Sequence, residues 1–360
     1  MTSRERFVRG WEEGFATGPA RMLAVAGGGY RGLLGAREWL YGCGVLKSRA
    51  LPCRVVSIGN LTVGGTGKTP AVEVAVQSLA SLGHRPAVVS RGYGRSTRGV
   101  QIVADAASIR LDPEESGDEP FLLARRLPGI PVVVGSNRHD AARVAIERFG
   151  VTAIVLDDGF QHRTLKKDLE IVMARARRPW GNGHLLPAGP LREPLGALAR
   201  ADLVVATGAL ELGDAREVVD AVEEHAPRVP VVTATLAPTE CWEAGRMRSV
   251  RIAELAGQRL AAFAGIAAPA AFAETLRASG VVVEEMSAFA DHHWYSPDDL
   301  ARLDARAGEL AVEALITTEK DWVRLRRLRL PSRPLYVLSV RLVVQAGDAA
   351  WRQAFRRACP

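Results

Sequence analysis

The chain has 360 residues, 48% of them hydrophobic and 24% charged, with a formal net charge of +7 at neutral pH. That length allows two domains with cores of their own, and the composition is that of a soluble-type globular protein without low-complexity tracts. The positive charge suits an acidic partner: a nucleotide, a nucleic acid or an anionic membrane surface. Cys43, Cys53, Cys241 and Cys359 show no Cys-x-x-Cys spacing and no metal pattern, which favours a reducing compartment over a disulfide framework. No apolar run reaches the length of a membrane span. The early charges Arg4, Glu5, Arg6 and Arg9 argue against a cleavable signal.

Residues 1–50 interleave apolar and aromatic side chains (Leu33, Leu34, Trp39, Tyr41, Val45, Leu46) with Arg21, Arg31, Arg37, Lys47 and Arg49. Gly27-Gly28-Gly29 is expected to split this stretch into two helical pieces. The pattern suits an amphipathic segment lying in a membrane interface, and equally a helix packed on the domain.

A different kind of sequence starts at 54. Val55 to Ile58 reads as a buried strand, a glycine-rich turn follows, and Gly67-Lys68-Thr69 opens a helix over 68–82. Strand, loop and helix in that order are the context of a phosphate-binding loop. Its backbone N–H groups, from Thr62, Val63, Gly64, Gly65, Thr66 and Gly67, would crowd around a polyphosphate at a helix N-terminus. Lys68 would reach the outer phosphates and the Thr69 hydroxyl would ligate magnesium. The common pattern has glycine where this chain has Thr62.

Further strands are expected at 87–90, 131–134, 153–156, 169–173, 203–206 and 229–232, with helices at 119–127, 139–149 and 215–225. This alternation predicts an α/β fold of the phosphate-loop NTPase kind, a mostly parallel sheet with helices on both faces. The chain is expected to leave this domain near 235. A smaller α/β segment follows, with strands at 260–264, 281–286, 314–318 and 335–338 and helices at 270–279 and 298–307, and then a C-terminal helix at 348–358. The expected division is therefore an N-terminal segment 1–50, a kinase-type domain 51–235, a second domain 236–345 and a tail 346–360.

Candidate chemistry clusters at strand ends, where such sheets bind ligands. Asp157 and Asp158 close an apolar strand, the place of a magnesium carboxylate in phosphate-loop enzymes, although a turn or cap aspartate also sits there. Phe160-Gln161-His162-Arg163 would line the same cleft. Ser90-Arg91-Gly92-Tyr93-Gly94-Arg95 reads either as a phosphate clamp or as a surface turn. Asp118 is a natural helix cap that could also accept a hydroxyl proton. Arg138 is a second phosphate candidate. Arg192 and Glu193 have a structural ion pair as their plain alternative. Asp291-His292-His293 hints at metal without zinc spacing, and Thr318-Glu319-Lys320-Asp321 reads as a helix cap.

Together these motifs resemble the tetraacyldisaccharide 4′-kinase family, the kinase of lipid A synthesis, over about 39–320. The resemblance rests on 57–70, 90–95, 117–120, 156–162, 186–193, 291–293 and 318–321 in combination. It includes Thr62, which matches the family's own loop. The resemblance implies transfer of the ATP γ-phosphoryl to the 4′-hydroxyl of a lipid A disaccharide 1-phosphate with Mg2+. It also implies a monotopic protein on the cytoplasmic face of the bacterial inner membrane, expected to be monomeric and to bind no nucleic acid. Carried over, Asp118 is the general base and His292 its partner. Lys68, Thr69 and Tyr93 meet the nucleotide, Asp157, Asp158 and Glu193 lie near the metal, and Arg138 and Arg192 hold phosphate. Glu119, Gln161 and His162 receive no definite role. Because Asp118 and His292 fall either side of 235, domain closure would be needed to assemble them. The rival reading is a phosphate-loop NTPase that couples hydrolysis to protein assembly or metal delivery. Val63, where many such ATPases carry lysine, weighs against it.

Overall fold

The computed structural model describes residues 19–360. They divide into two compact units. One is the chain up to Arg91 with Gly135–Thr235 and Val343–Pro360; the other is Gly92–Val134 with Leu236–Leu342.

The first unit is organised on parallel strands. In spatial order these are Pro86–Ser90, Ala153–Asp157, Arg54–Gly59, Leu169–Arg175, Leu203–Thr207 and the start of Val231–Glu243. Parallel strands covered on both faces carry unbroken apolar runs rather than alternation. Val55, Val56, Ile58, Val88, Val89, Ile154 and Val155 are accordingly all buried. Helix Lys68–Ser81 buries Ala71, Val72, Ala75, Val76 and Leu79, one face at helical spacing. The C-terminal helix Asp348–Ala358 is tied to it by the Trp351 indole, which donates to Ser78 Oγ at 3.1 Å. From Arg54–Gly59 the chain moves to Pro86–Ser90 on one side of the sheet, whereas Leu169–Arg175 and its successors extend the other side. The crevice at such a reversal is where ligands bind, and the phosphate loop leaves the sheet there.

In the second unit Val282–Ala288, Arg259–Ala264, Ala314–Thr318 and the start of Leu335–Ala346 lie side by side and parallel. The unit also contains the antiparallel pair Gln101–Ala104 and Val132–Val134, and helix Asp118–Arg126. Phe121 and Leu122 of that helix bury against Val323 of helix Glu319–Leu325. This contact explains why 92–134 groups with 236–342 although it is remote in sequence.

Several expectations need correction. Residues 19–42 form one helix through Gly27-Gly28-Gly29, not two pieces. Each glycine costs a helix only about 1 kcal/mol relative to alanine, and Tyr30 and Leu34 anchor this helix on the first unit's core. Strand Val231–Glu243 continues past 235; its middle residues Thr235–Glu240 include Pro238 and none is fully buried, so they lack the buried apolar run that marks its start. The short strands Gln101–Ala104, whose apolar part is only Ile102-Val103-Ala104, and Arg248–Val250, with Val250 alone apolar, lie outside the expected strands.

The strand feeding the phosphate loop ends in a tight contact. A Cβ placed on Gly59 would stand 2.5 Å from Phe160 Cβ and 2.7 Å from its backbone nitrogen. Gly59→Ala should therefore lower stability by about 1–3 kcal/mol, as overpacking commonly does. Urea unfolding of the full chain measures this, and an unchanged midpoint would show that the two segments separate at no cost.

Candidate active site

At the carboxyl ends of the first unit's strands the structure brings together Lys68, Asp158 and Arg192. Gly67 caps the helix in the left-handed region (φ 79°), so Lys68 and Thr69 are its first two residues. Lys68 Nζ lies 3.6 Å from Asp158 Oδ1. Arg192 Nη1 donates to both Asp158 oxygens, at 3.0 and 2.9 Å. Burial would raise the Asp158 pKa, but Lys68, Arg192 and Arg138 outweigh it, so the carboxylate is held below its usual range. Two cations bracketing one carboxylate beside a phosphate loop are held ready for anionic oxygens.

The loop carrying Arg192 is fastened to the phosphate loop. Val63 N–H donates to Pro190 O at 2.8 Å, Arg192 N–H to Leu61 O at 2.7 Å, and Tyr30 OH to Arg192 O at 2.9 Å. Gln161 takes part too, donating to Asn60 O at 3.0 Å and accepting from Arg37 through its own carbonyl at 2.8 Å. The adjacent His162 is pushed down to about 4, by burial first and then by Arg138, Lys167, Arg37 and Arg91, so it is neutral at physiological pH.

Asp157 stands in register with Ile58 on the neighbouring strand and accepts from Ser90 Oγ at 2.9 Å, fully buried. Glu193 accepts from Arg200 at 2.7 Å through Oε2. No group of three or more His, Cys, Asp or Glu among the described residues is arranged to hold a metal. Asp157, Asp158 and Glu193 thus form no carboxylate cage. Magnesium in phosphate sites needs none; it keeps waters and takes one or two protein oxygens plus the phosphates. One buried carboxylate one residue short of the loop's origin and one hydroxyl at the helix start, Asp157 and Thr69, match that donor set.

The second unit holds the other constellation. Asp118 is almost wholly buried (4% exposed). Its Oδ2 accepts from His292 Nδ1 at 2.8 Å and its Oδ1 from the Glu119 N–H at 2.9 Å. Arg324 Nε lies 3.6 Å away with its side chain fully buried. Burial raises the Asp118 pKa, but the His292 hydrogen bond and the charges of Lys320, His292 and Arg324 overcome this and bring it down to about 2. Lys320 donates to Glu119 Oε1 at 2.9 Å and lies 3.9 Å from Asp291. Burial lowers its pKa; Glu119, Asp118 and Asp291 more than reverse that, so it stays charged.

The pair is held from behind. Arg324 also donates to Gly265 O and Asp321 Oδ1, both at 3.0 Å, and to His293 O at 3.2 Å. His292 N–H donates to Gly265 O at 3.1 Å, and His292 itself sits at φ 61°. Tyr93 is exposed, its ring 5.7 Å from that of His292. Its turn packs against the Asp118 helix because Gly117 has no side chain: a Cβ there would stand 2.9 Å from Tyr93 O.

Two expectations change. Asp118 and His292 lie inside one unit, so their contact requires no closure of one unit on the other. Asp291-His292-His293 gathers no metal ligands: His292 is bonded to Asp118, and His293 to Asp299 at 3.1 Å. Thr318 does cap its helix, accepting from Asp321 N–H at 3.1 Å, but Lys320 from the same motif joins the Asp118 cluster. Arg324 was missed altogether. It sits within an apolar-looking Trp-Val-Arg-Leu run, and only the burial of that helix on all sides reveals it.

A parallel α/β sheet with a Gly-Lys-Thr loop at its switch point, joined to a unit bearing a buried Asp–His pair, defines a phosphate-loop phosphotransferase. Comparison with known proteins narrows the class. Residues 19–359 match the family model described as Tetraacyldisaccharide-1-P 4'-kinase, LpxK. A tetraacyldisaccharide 4'-kinase of Syntrophus aciditrophicus is 42% identical over 96% of both chains. One from Anaeromyxobacter dehalogenans is 43% identical over 84% of this chain and 80% of its own. The crystal structure of LpxK from Aquifex aeolicus in complex with ATP superposes with a TM-score of 0.74 at 28% identity, covering 95% of this chain and 99% of that one. The chain belongs to the tetraacyldisaccharide 4'-kinase family.

The depressed Asp118 pKa has a consequence for folding. A carboxylate more acidic in the folded than in the unfolded chain adds stability above its unfolded value near 4 and loses it as pH falls through about 2. The contribution is on the order of 2 kcal/mol. Asp118→Asn should abolish that part of the acid limb, so the stability gap between variant and wild type narrows as pH drops from 5 to 2. A gap independent of pH over that range would show that Asp118 is not ionised in the fold.

Proposed function

We propose that the protein transfers the γ-phosphoryl group of ATP to the 4′-hydroxyl of a tetraacylated glucosamine disaccharide 1-phosphate, forming lipid IVA in lipid A biosynthesis. The observation that carries the mechanism is the 2.8 Å bond between Asp118 and His292 in a family whose relatives are named for this kinase activity.

The two units carry complementary parts of the reaction. In the first, the loop 62–67 offers backbone N–H groups to the phosphates, and Lys68 balances their charge. Arg192 and Arg138 hold phosphate oxygens, with Asp158 keeping Lys68 and Arg192 extended until a nucleotide takes its place as their partner. Thr69 and Asp157 would hold magnesium, which neutralises charge developing on the β- and γ-oxygens. In the second unit, the Asp118–His292 pair accepts the proton of the sugar hydroxyl as it attacks. Asp118 alone is a weak base at about 2; linked to His292 it forms a two-site acceptor in which the carboxylate fixes the ring and stabilises the positive charge it gains. Phosphoryl transfer passes through a loose transition state and asks little of its base.

The substrate's acyl chains lie in a bilayer, so the protein must reach one. Helix Pro19–Gly42 and the residues after it expose Leu33, Trp39, Val45 and Leu46 together with Arg31, Lys47 and Arg49. No helix among the described residues is long and apolar enough to cross a membrane. The exposed apolar and cationic side chains support interfacial attachment, through apolar side chains entering the headgroup region and cations meeting anionic lipid; the cytoplasmic face of the inner membrane is the location we propose for it.

Incubation with γ-labelled ATP and the disaccharide 1-phosphate should give a 4′-phosphorylated product. Rapid ATP hydrolysis that ignores the lipid would instead indicate an NTPase. Asp118→Ala should cut turnover by about two to four decades while nucleotide affinity stays near wild type; near-full turnover would remove Asp118 from the reaction. For the membrane contact, Leu33→Asp with Trp39→Asp should release the protein from anionic vesicles in a sedimentation assay. Unchanged co-sedimentation would refute this segment as the anchor.

A further inference from the structure

Asp118 and His292 come from segments far apart in the chain, and their side chains must be brought to one geometry and kept there. We infer that Asp321 is the positioning residue of this pair, acting on His292 through the backbone of Gly265 and on Asp118 through Arg324. This rests on the proton-acceptor reading above and extends it to a residue that is itself fully buried.

The Asp321 carboxylate gathers donors from several segments of the second unit. Its Oδ1 accepts from the Gly265 N–H at 2.8 Å, the Tyr295 hydroxyl at 2.8 Å and Arg324 Nη2 at 3.0 Å. Its Oδ2 accepts from Thr318 Oγ1 at 2.6 Å. Capping of helix Glu319–Leu325 accounts for the Thr318 bond alone, together with the Asp321 N–H on Thr318 Oγ1 at 3.1 Å. The other bonds go to groups that hold the pair, and a buried carboxylate with this many donors fixes their geometry.

Gly265 is the joint between Asp321 and His292. Its N–H is taken by Asp321, and its carbonyl accepts both the His292 N–H at 3.1 Å and Arg324 Nη2 at 3.0 Å. His292 sits at φ 61°, a conformation that a residue with a side chain keeps only when its surroundings impose it. Gly265 has no freedom to drift: a Cβ there would stand 3.0 Å from Ala290 O, 3.1 Å from His293 Cβ and 3.2 Å from Asp321 Oδ1. Tyr295 completes the frame, its ring edge-on to those of Phe263, Phe289 and His293 and its hydroxyl on Asp321. Arg324, the other partner of Asp321, places Nε 3.6 Å from Asp118 Oδ2. Loss of the Asp321 charge therefore loosens Gly265 and Arg324 at once, and both members of the pair lose a support.

Steady-state kinetics of the full chain with γ-labelled ATP and the disaccharide 1-phosphate test this. Asp321→Asn keeps the side chain's shape and removes its charge; Tyr295→Phe keeps the ring and removes one donor. Asp321→Asn should lower kcat by about tenfold or more and Tyr295→Phe by about threefold, each leaving the KM for ATP within about twofold of wild type. In an Asp118→Ala background neither substitution should slow turnover further, because a residue that acts through the pair has nothing left to position. A merely structural role would slow both backgrounds by the same factor. Full kcat in both single variants, or an effect of equal size in the Asp118→Ala background, would overturn the assignment and leave the kinase reading standing. If Asp321→Asn does not fold, Tyr295→Phe in the two backgrounds decides alone. Absence of phosphoryl transfer by wild type would remove the kinase reading, and the positioning role with it.

Discussion

The constraint on which this molecule's chemistry depends is a carboxylate buried in protein and kept ionised there. Asp118 has almost no access to water, and an isolated charge in that position would be costly enough to neutralise itself. It stays charged because His292, Arg324 and Lys320 surround it. Arg324 and Lys320, the two cations among them, are in turn held by other groups: Arg324 by Gly265, Asp321 and His293, and Lys320 by Glu119 and Asp291. Removing one member leaves the rest buried and unbalanced, so the site is assembled as a set. Such networks fix geometry more than they add stability, and fixed geometry is what a proton acceptor for phosphoryl transfer requires.

The first unit applies the same logic. There a carboxylate, Asp158, occupies two cations, Lys68 and Arg192. The pairing holds both cations at Asp158; in the proposed reaction a triphosphate replaces the carboxylate as their partner. The loop that carries Arg192 is itself bonded to Leu61 and Val63, so the cation's position follows the phosphate loop's own.

Much of this was legible in the sequence because it depends on local pattern. The β-branched runs at 55–58, 153–156 and 203–206 name their strands, and Gly67-Lys68-Thr69 at a helix start names its ligand. Asp118 and Asp158 were legible as strand-end or cap carboxylates. Other parts are tertiary facts. Arg324 looks like an ordinary helix arginine until the burial of Trp322, Val323 and Leu325 places it inside. The grouping of Gly92–Val134 with Leu236–Leu342 depends on Phe121 and Leu122 finding Val323, which no spacing announces. The Gly27-Gly28-Gly29 break failed for a related reason: a weak local preference was overridden by the packing of Tyr30 and Leu34.

The ionisation of Asp118 can be observed directly. With 13C-labelled aspartate in the intact protein and Asp118→Asn to assign the resonance, the side-chain carboxyl shift should report the charged form and stay flat from pH 8 down to 4. A titration step within that range, or the shift of a protonated acid at neutral pH, would mean that the surrounding cations do not hold the charge and that the proposed proton acceptor is not in place.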